Sequence, residues 1–169
     1  MSANDPLQRL LDIEELKQLK GKYFLYMDTK QWDAWGELFT EDLVVEGTKQ
    51  APDATRADFV AGVQRALEGV GTCHQGHTPI IELTSASTAR GVWAMFDDLR
   101  FPEGHPWAEG YLRRVGYGHY EEEYRKDDGV WRISFMRLAR LWVWREADGP
   151  LVEGGIPSAG RQWLEGARG

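Results

Sequence analysis

Apolar residues in the first seventy positions recur with a helical period. Steps of three and four from Leu10 to Met27 predict a first helix that begins near Pro6, a residue suited to a first helical turn. Thr29 and Thr55 are candidate N-caps and predict two further helices. A short apolar run at residues 42–46 predicts a strand between the second and third helices. The N-terminal part therefore reads as three helices and one strand.

From Gly71 onward the apolar period changes to two, which predicts strands. Turn-forming residues separate several of these runs, as expected for hairpins. Strands of this length must curl, with bulges at glycines, and helices followed by antiparallel strands indicate the α+β class. We expect a cone-shaped curved antiparallel sheet closed by the three N-terminal helices, with an interior pocket. The predicted strands cover residues 72–84, 88–101, 110–126 and 130–144.

Composition narrows the class of protein. The 169 residues fit one domain, which we place at residues 1–145 with a C-terminal tail at 146–169. A net charge of −7 argues against nucleic acid as a partner. The single cysteine, Cys73, allows no internal disulfide and fits a reducing compartment. No stretch has the character of a signal peptide or a membrane span, so we expect a soluble, cytoplasmic protein.

Two histidines and one carboxylate are the first candidates for chemistry. Asp28 ends the first helix among aromatic residues, where it is either a solvated helix-end group or a partly buried one that needs a partner. His74 and His77 are three residues apart, which places them on opposite faces of a regular strand. This parity argues against a shared metal ion and predicts one histidine inside the cone and one outside.

The later strands carry further polar candidates. Tyr117 and His119 share one face of the third long strand. Asp97 and Arg137 each follow apolar residues on their own face, so each is either part of a structural salt bridge or a catalytic group. No nucleotide-binding, phosphate-binding, serine-hydrolase or zinc-protease motif is present. We therefore expect acid–base chemistry on a small, mostly apolar molecule, with no cofactor and no metal.

Four motifs follow one another along the chain: Tyr23-x-x-x-x-Asp28-x-Lys-x-Trp32, His74-x-x-His77-x-Pro79, Gly118-His119-Tyr120-Glu-x-x-Tyr124 and Asp128-Gly129-Val-Trp131. In order and spacing they resemble the SnoaL-like branch of the nuclear-transport-factor-2-like superfamily, which includes scytalone dehydratase and bile-acid 7α-dehydratases. The similarity runs from about Leu10 to Val143 and implies the same α+β cone. One position departs from the pattern of scytalone dehydratase: Met27, not a tyrosine, precedes the aspartate, so Tyr23 or Tyr26 would supply the phenol.

This resemblance implies roles for individual residues. Asp28 matches the carboxylate that orients a catalytic histidine, and His77 matches that histidine. Tyr23 matches a pocket tyrosine, while His119 or Tyr117 matches a second pocket group. The catalytic set is thus Asp28, His77, Tyr23 and His119, and the expected substrate-binding set is Trp93, Asp97, Tyr117, Phe135 and Arg137.

The function we expect is a cofactor-independent lyase, a dehydratase-like enzyme that acts on a small, ring-containing apolar molecule. Two alternatives remain open. An isomerase or cyclase could use the same aspartate–histidine dyad, and only its products would distinguish it. A non-catalytic ligand-binding or accessory subunit would need no dyad, so separation of Asp28 from His77 would favour it.

The last predicted strand is apolar on both faces. Met136, Leu138 and Trp142 alternate with Phe135 and Ala139, yet three helices can cover only one side of the sheet. An uncovered apolar face of that width exceeds what a soluble monomer normally exposes. We expect a homodimer through the outer sheet face. The competing explanation is a C-terminal tail that folds back through Ile156 or Trp163.

Overall fold

The computed structural model describes residues 5–47, 54–108, 110–146 and 150–154, the last of these as backbone only. It confirms the predicted α+β class, with helices packed on one face of a curved sheet. The elements are α1 (Pro6–Asp28), α2 (Trp32–Gly36), β1 (Phe39–Glu46), α3 (Arg56–Ala66), β2 (Gly71–Leu83), β3 (Thr88–Arg100), β4 (Arg113–Asp127), β5 (Val130–Glu146) and β6 (Pro150–Gly154).

Side-chain caps fix where the two longer helices begin. The Asp5 carboxylate accepts a hydrogen bond from the backbone N–H of Leu7 at 3.0 Å, with Pro6 in the first turn of α1. Thr55 and Asp58 form a reciprocal capping box at the start of α3. Helix α1 ends at Asp28, so this carboxylate lies at the helix terminus that faces the sheet.

The sheet has the order β1-β5-β4-β3-β2. Strand β5 is the longest. Strand β4 pairs with one of its edges, and two short strands pair with the other. Parallel β1 pairs with residues 133–137 of β5, and antiparallel β6 pairs with residues 142–146. The first residues of the predicted tail thus add a strand to the sheet, while Ile156 and Trp163 lie outside the described residues.

Three irregularities decide which side chains face the helices. In β5, Ser134 and Leu141 are extra residues opposite β4, because the pairing shifts register at each point. In β2 the register shifts between His77 and Ile80, and Thr78 there has a φ of +36°. Each extra residue reverses the alternation of side chains beyond it. The faces therefore cannot be counted from one end of a strand to the other.

The bulges of β5 correct one prediction. Met136, Leu138 and Arg140 were expected on the same face as Trp142, but they line the concave side beneath the helices. Trp142 lies on the convex side, where its ring stacks on Tyr117 with centroids 4.3 Å apart. The reason is Leu141, whose insertion reverses the alternation between Arg140 and Trp142.

An aromatic cluster fills the space between the helices and the sheet. Trp35 packs against Phe39 and Phe59 with ring centroids 4.8 and 5.3 Å apart, and Tyr23 packs against Trp35 at 5.4 Å. All four side chains are buried, so these rings form the centre of the core. Within the described residues, no helix is both long enough and apolar enough to cross a membrane.

Candidate active site

A cavity of about 220 Å³ lies between the helices and the concave face of the sheet. Most of its wall is aromatic or aliphatic, as in small-molecule sites, and a few polar groups enter it from the strands and α1. Its lining residues include Tyr23, Met27, Phe59, His74, Asp97, Leu99, Phe101, Trp107, Arg114, Tyr120, Met136, Leu138 and Arg140.

Asp28 and His74 form a doubly hydrogen-bonded pair at this wall. The imidazole Nδ1 lies 2.6 Å from Asp28 Oδ1, and the backbone N–H of His74 donates to Oδ2 at 2.8 Å. A carboxylate can only accept hydrogen bonds, so Nδ1 carries a hydrogen; in the neutral imidazole this leaves the lone pair on Nε2. The imidazole is 6 % exposed. The pair therefore presents an oriented base to the cavity.

The surroundings of Asp28 favour its charged form. Burial acts to raise the pKa of this carboxyl, but the hydrogen bonds from His74 outweigh it and lower the pKa below its ordinary value. Thr72 contributes a further hydrogen bond, and Lys30 Nζ in turn donates to Thr72 Oγ1 at 2.8 Å. The carboxylate that orients the imidazole is thus ionised at neutral pH.

The predicted partner of Asp28 was His77, and this pairing is wrong. His77 is exposed and lines a groove on the convex face beside Gln75 and His119. Counting back from buried Leu83 by twos places His77 inside, but the extra residue before Ile80 reverses the alternation. As expected, one histidine faces the inside of the cone and the other faces outside, but it is His74 that lies inside and His77 that lies outside.

Asp97 and Arg140 form a second polar pair in the cavity. The guanidinium contacts the carboxylate through both terminal nitrogens, Nη2 to Oδ2 at 2.6 Å and Nη1 to Oδ1 at 3.2 Å. Burial acts to lower the pKa of Arg140, but Asp97 outweighs it and raises the pKa. Gly116 makes room for the pair, since a Cβ there would collide with Asp97 Oδ1 and Arg140 Nη1.

Two tyrosines lie beside these groups. Tyr23, the predicted pocket tyrosine, lines the cavity and donates to Met136 Sδ at 3.5 Å. Tyr120 also lines the cavity, whereas Tyr26 does not. Burial is the main cause that raises the pKa of both cavity tyrosines. Both phenols are therefore neutral hydrogen-bond donors at physiological pH and not bases.

A buried lysine lies behind the tyrosines and was not predicted. Lys20 is fully buried, with Nζ 3.8 and 3.6 Å from the ring centroids of Tyr23 and Tyr120. It donates to Glu122 Oε1 at 2.5 Å, and Tyr124 donates to the other carboxylate oxygen. Its position in the apolar stripe of α1 was the available signal, because a charge there must be buried and paired.

Several predicted site residues lie outside the cavity. Trp93 is on the concave side but does not line the cavity; its Nε1 donates to the Tyr124 hydroxyl at 2.8 Å. The other four predicted residues lie on the convex face. In β4 the opposite set of side chains, such as Tyr120, points inward, and in β5 the extra residue Ser134 turns the side chains after it to the other face. These residues are Tyr117 and His119 in the groove, Phe135 against Val92, and Arg137 paired with Glu121 at 2.6 Å.

Of the predicted substrate-binding set, Asp97 alone lines the cavity. The polar side chains that line the cavity are one histidine, one aspartate, two tyrosines and two arginines. These groups suit proton transfer and the binding of polar substrate groups. Among the described residues, no three histidine, cysteine, aspartate or glutamate side chains converge as a metal site would require.

Comparisons with known proteins agree with this fold. The family model described as a SnoaL-like domain matches residues 8–137. A putative scytalone dehydratase from Novosphingobium aromaticivorans is 17 % identical and superposes with a TM-score of 0.73, over 90 % of this chain and 98 % of that one. A type 2 hexachlorocyclohexane dehydrochlorinase (LinA) is 21 % identical and superposes with a TM-score of 0.68, over 90 % of this chain and 100 % of that one.

A curated relative, a probable cyclase named FGR4 from Gibberella zeae, is 19 % identical over an alignment of 138 positions that covers 75 % of this chain and 89 % of that protein. These relatives carry the names of different small-molecule-converting enzymes on one fold. The resemblance found in the sequence motifs is confirmed. The chain belongs to the SnoaL-like domain family.

Proposed function

We propose that this protein is a cofactor-independent lyase that eliminates water or another small leaving group from a ring-containing molecule. The observation that carries the proposal is the Asp28–His74 pair at the wall of a largely apolar cavity. A carboxylate that holds one imidazole nitrogen fixes the tautomer and aims the other nitrogen as a base. Such acid–base catalysis contributes roughly 10²–10⁴ in rate.

In the proposed step, His74 Nε2 removes a proton from a substrate carbon. The electrons of that C–H bond form the new double bond, and the bond to a hydroxyl group on the neighbouring carbon breaks. The imidazolium then gives its proton to the departing hydroxide, so that water leaves and His74 is neutral again. Asp28 stabilises the transient imidazolium by its charge.

The other polar groups would bind the charge that develops on the substrate. Tyr23 and Tyr120 offer phenolic O–H donors, and Arg140 offers a guanidinium held by Asp97. Because these donors are fixed before the substrate arrives, they need little reorganisation during the reaction. Two of the groups, Tyr23 and Asp97, were predicted from the sequence.

An isomerase or cyclase is the second candidate, and the probable cyclase among the relatives favours it. The same base would move a proton or start a ring closure without loss of a group. The names of the dehydratase and dehydrochlorinase relatives favour elimination. The two reactions differ in product mass, since isomerisation and cyclisation by proton transfer conserve the substrate's mass.

A purely ligand-binding or accessory role would require no oriented base. Separation of Asp28 from His77 was to favour that role, and no hydrogen bond joins those two residues. By that expectation the outcome counts for the binding role, but a catalytic role needs an aspartate–histidine pair in the cone and not His77 itself. His74 supplies the pair in place of His77, which supports an enzyme.

The experiment is a screen of ring-containing alcohols and halides, with products measured by mass spectrometry, followed by the same assay on His74→Gln. We expect a product lighter than its substrate by the leaving group and its proton, and loss of turnover in the variant. A product of unchanged mass would replace elimination by isomerisation. Undiminished turnover by His74→Gln would reject this base in either reaction.

We also propose that the convex face pairs two copies of the chain. Trp142 and Trp144 are each 38 % exposed there, and Tyr117 stacks on Trp142. Apolar rings so grouped favour burial against a second copy. Light scattering is expected to give twice 19.3 kDa for the parent and to shift toward the monomer for Trp142→Glu. A monomeric parent at micromolar concentration would contradict the dimer.

A further inference from the structure

Among the described residues, one guanidinium that lines the cavity has no carboxylate partner. Arg114 lines the cavity from β4, opposite Leu99 of β3. Its Nε is buried and has no hydrogen-bond partner within the described residues, and no carboxylate there lies within ion-pair distance of its side chain. A half-buried arginine without a carboxylate partner is costly to keep charged, so Arg114 is a candidate for binding an anion.

Arg140 provides the contrast within the same cavity. Its guanidinium is matched by Asp97, so that carboxylate is already engaged. Burial is the main cause that lowers the pKa of Arg114, and the charge of Arg140 lowers it further. Asp97 and the Tyr111 hydroxyl act in the opposite direction without reversing the shift. The residues that line the cavity thus include two arginines and one aspartate, and that aspartate is paired with Arg140.

We propose that Arg114 binds a carboxylate group of the substrate, which makes the substrate a small cyclic carboxylic acid. This inference rests on the proposed function, since it concerns the same cavity. A planar guanidinium matches a planar carboxylate with two parallel N–H···O bonds. Phe101 and Trp107 line the cavity beside Leu99 and offer apolar contact for the ring. The cavity of about 220 Å³ fits a compact acid.

The position of Arg114 relative to His74 fits this role. His74 pairs with Asp97, Asp97 pairs with Gly116, and Arg114 lies two residues before Gly116. Strand spacing and rise then place the Cα atoms of His74 and Arg114 about 12 Å apart along the sheet. A carboxylate held by the long arginine side chain would leave the ring between it and the base. The proton taken by His74 would therefore come from the ring side of the molecule.

The test compares two probes of equal shape, 2-naphthoate and 2-naphthamide, by isothermal titration calorimetry. The parent is expected to bind the acid roughly tenfold to hundredfold more tightly than the amide. Arg114→Met should bind the two probes equally. Arg114→Lys, which keeps the charge but loses the planar fork, should show a reduced preference and serves if the methionine variant does not fold.

Two control variants separate this inference from the proposed reaction. Arg100→Met removes the same charge at an arginine that is 61 % exposed and outside the cavity, and it should keep the preference for the acid. His74→Gln should also keep it, since the base is not needed for binding. Equal affinity of the parent for both probes, or a preference that persists unchanged in Arg114→Met and Arg114→Lys, would overturn the carboxylate site and leave the elimination to be judged by turnover.

Discussion

The two faces of the curved sheet carry similar residue types in different surroundings. On the concave face, His74 is held by Asp28, and the buried charges of Lys20 and Asp97 each have a partner. On the convex face, His77 is exposed in an open groove, and no hydrogen bond or ion pair holds its ring within the described residues. A strand histidine therefore depends for any chemical role on the groups that fix its ring, and only His74 has such groups of the two.

The largest effect on activity is expected when the histidines of the two faces are replaced by glutamine, one at a time. His74→Gln is expected to lower kcat/KM by roughly 10²–10⁴, because it removes the oriented base. His77→Gln and His119→Gln alter the convex groove and should stay within a few-fold of the parent. Steady-state assays on an identified substrate measure all three. A loss in His77→Gln as large as in His74→Gln would show that the two faces are not functionally distinct.

A buried ion pair and a surface ion pair should respond very differently to loss of the cation. Lys20→Met leaves the Glu122 carboxylate buried without its cation and should lower the free energy of unfolding by about 3–5 kcal/mol. Arg90→Met breaks the pair with Glu82, whose side chain is 51 % exposed, and should cost less than about 1 kcal/mol. Urea denaturation of both variants gives the comparison; equal losses would contradict it.

The stability of the protein should be sensitive to a methyl group added at Gly116, where the side chains of Asp97 and Arg140 fill the space. Gly116→Ala forces Asp97 and Arg140 apart and should cost about 1–3 kcal/mol of stability, with reduced activity. Gly21 of α1 has no atom within 4 Å of the position of a Cβ, so Gly21→Ala should stabilise the protein by about 0.5–1 kcal/mol. Thermal unfolding of the two variants should shift in opposite directions.

The buried lysine also predicts a dependence of stability on pH. Burial lowers the pKa of Lys20 to about 8, whereas an unfolded lysine titrates near its ordinary value of 10.5. Between these values the unfolded chain binds more protons, so stability should rise with pH through this window, by roughly 1–3 kcal/mol. The double variant Lys20→Met with Glu122→Gln should lack this rise. Denaturant titrations from pH 7 to about pH 10 measure the difference.

The class of fold could be predicted because it follows from patterns that the whole chain repeats. The caps at Asp5 and Thr55 and the change to a period of two at Gly71 locate helices and strands to within a few residues. The faces of the strands could not be predicted as safely. One extra residue, such as Leu141, moves every side chain beyond it to the other face of the sheet, and the types of residue in the strand do not reveal where it lies.

The candidate site shows the same limit. Asp28 and Asp97 could be placed because a helix end and a strand face fix their positions, and Tyr23 followed from the resemblance to the family. His74 was assigned to the wrong side, although Pro79 was an available sign of an irregular strand, since proline interrupts regular pairing. Arg114 was missed because its significance lies in the absence of a nearby carboxylate, which depends on contacts between strands that are distant in sequence.

The irregularity at Thr78 and Pro79 has a consequence beyond the placement of His74. Strand β2 is the outermost strand of the sheet, and an outermost strand offers unpaired backbone groups to strands of other molecules. The bulge and the proline interrupt the regular pleat that an incoming strand would need. The local feature that sets which way the side chains of β2 face is thus expected also to hinder edge-to-edge pairing between molecules.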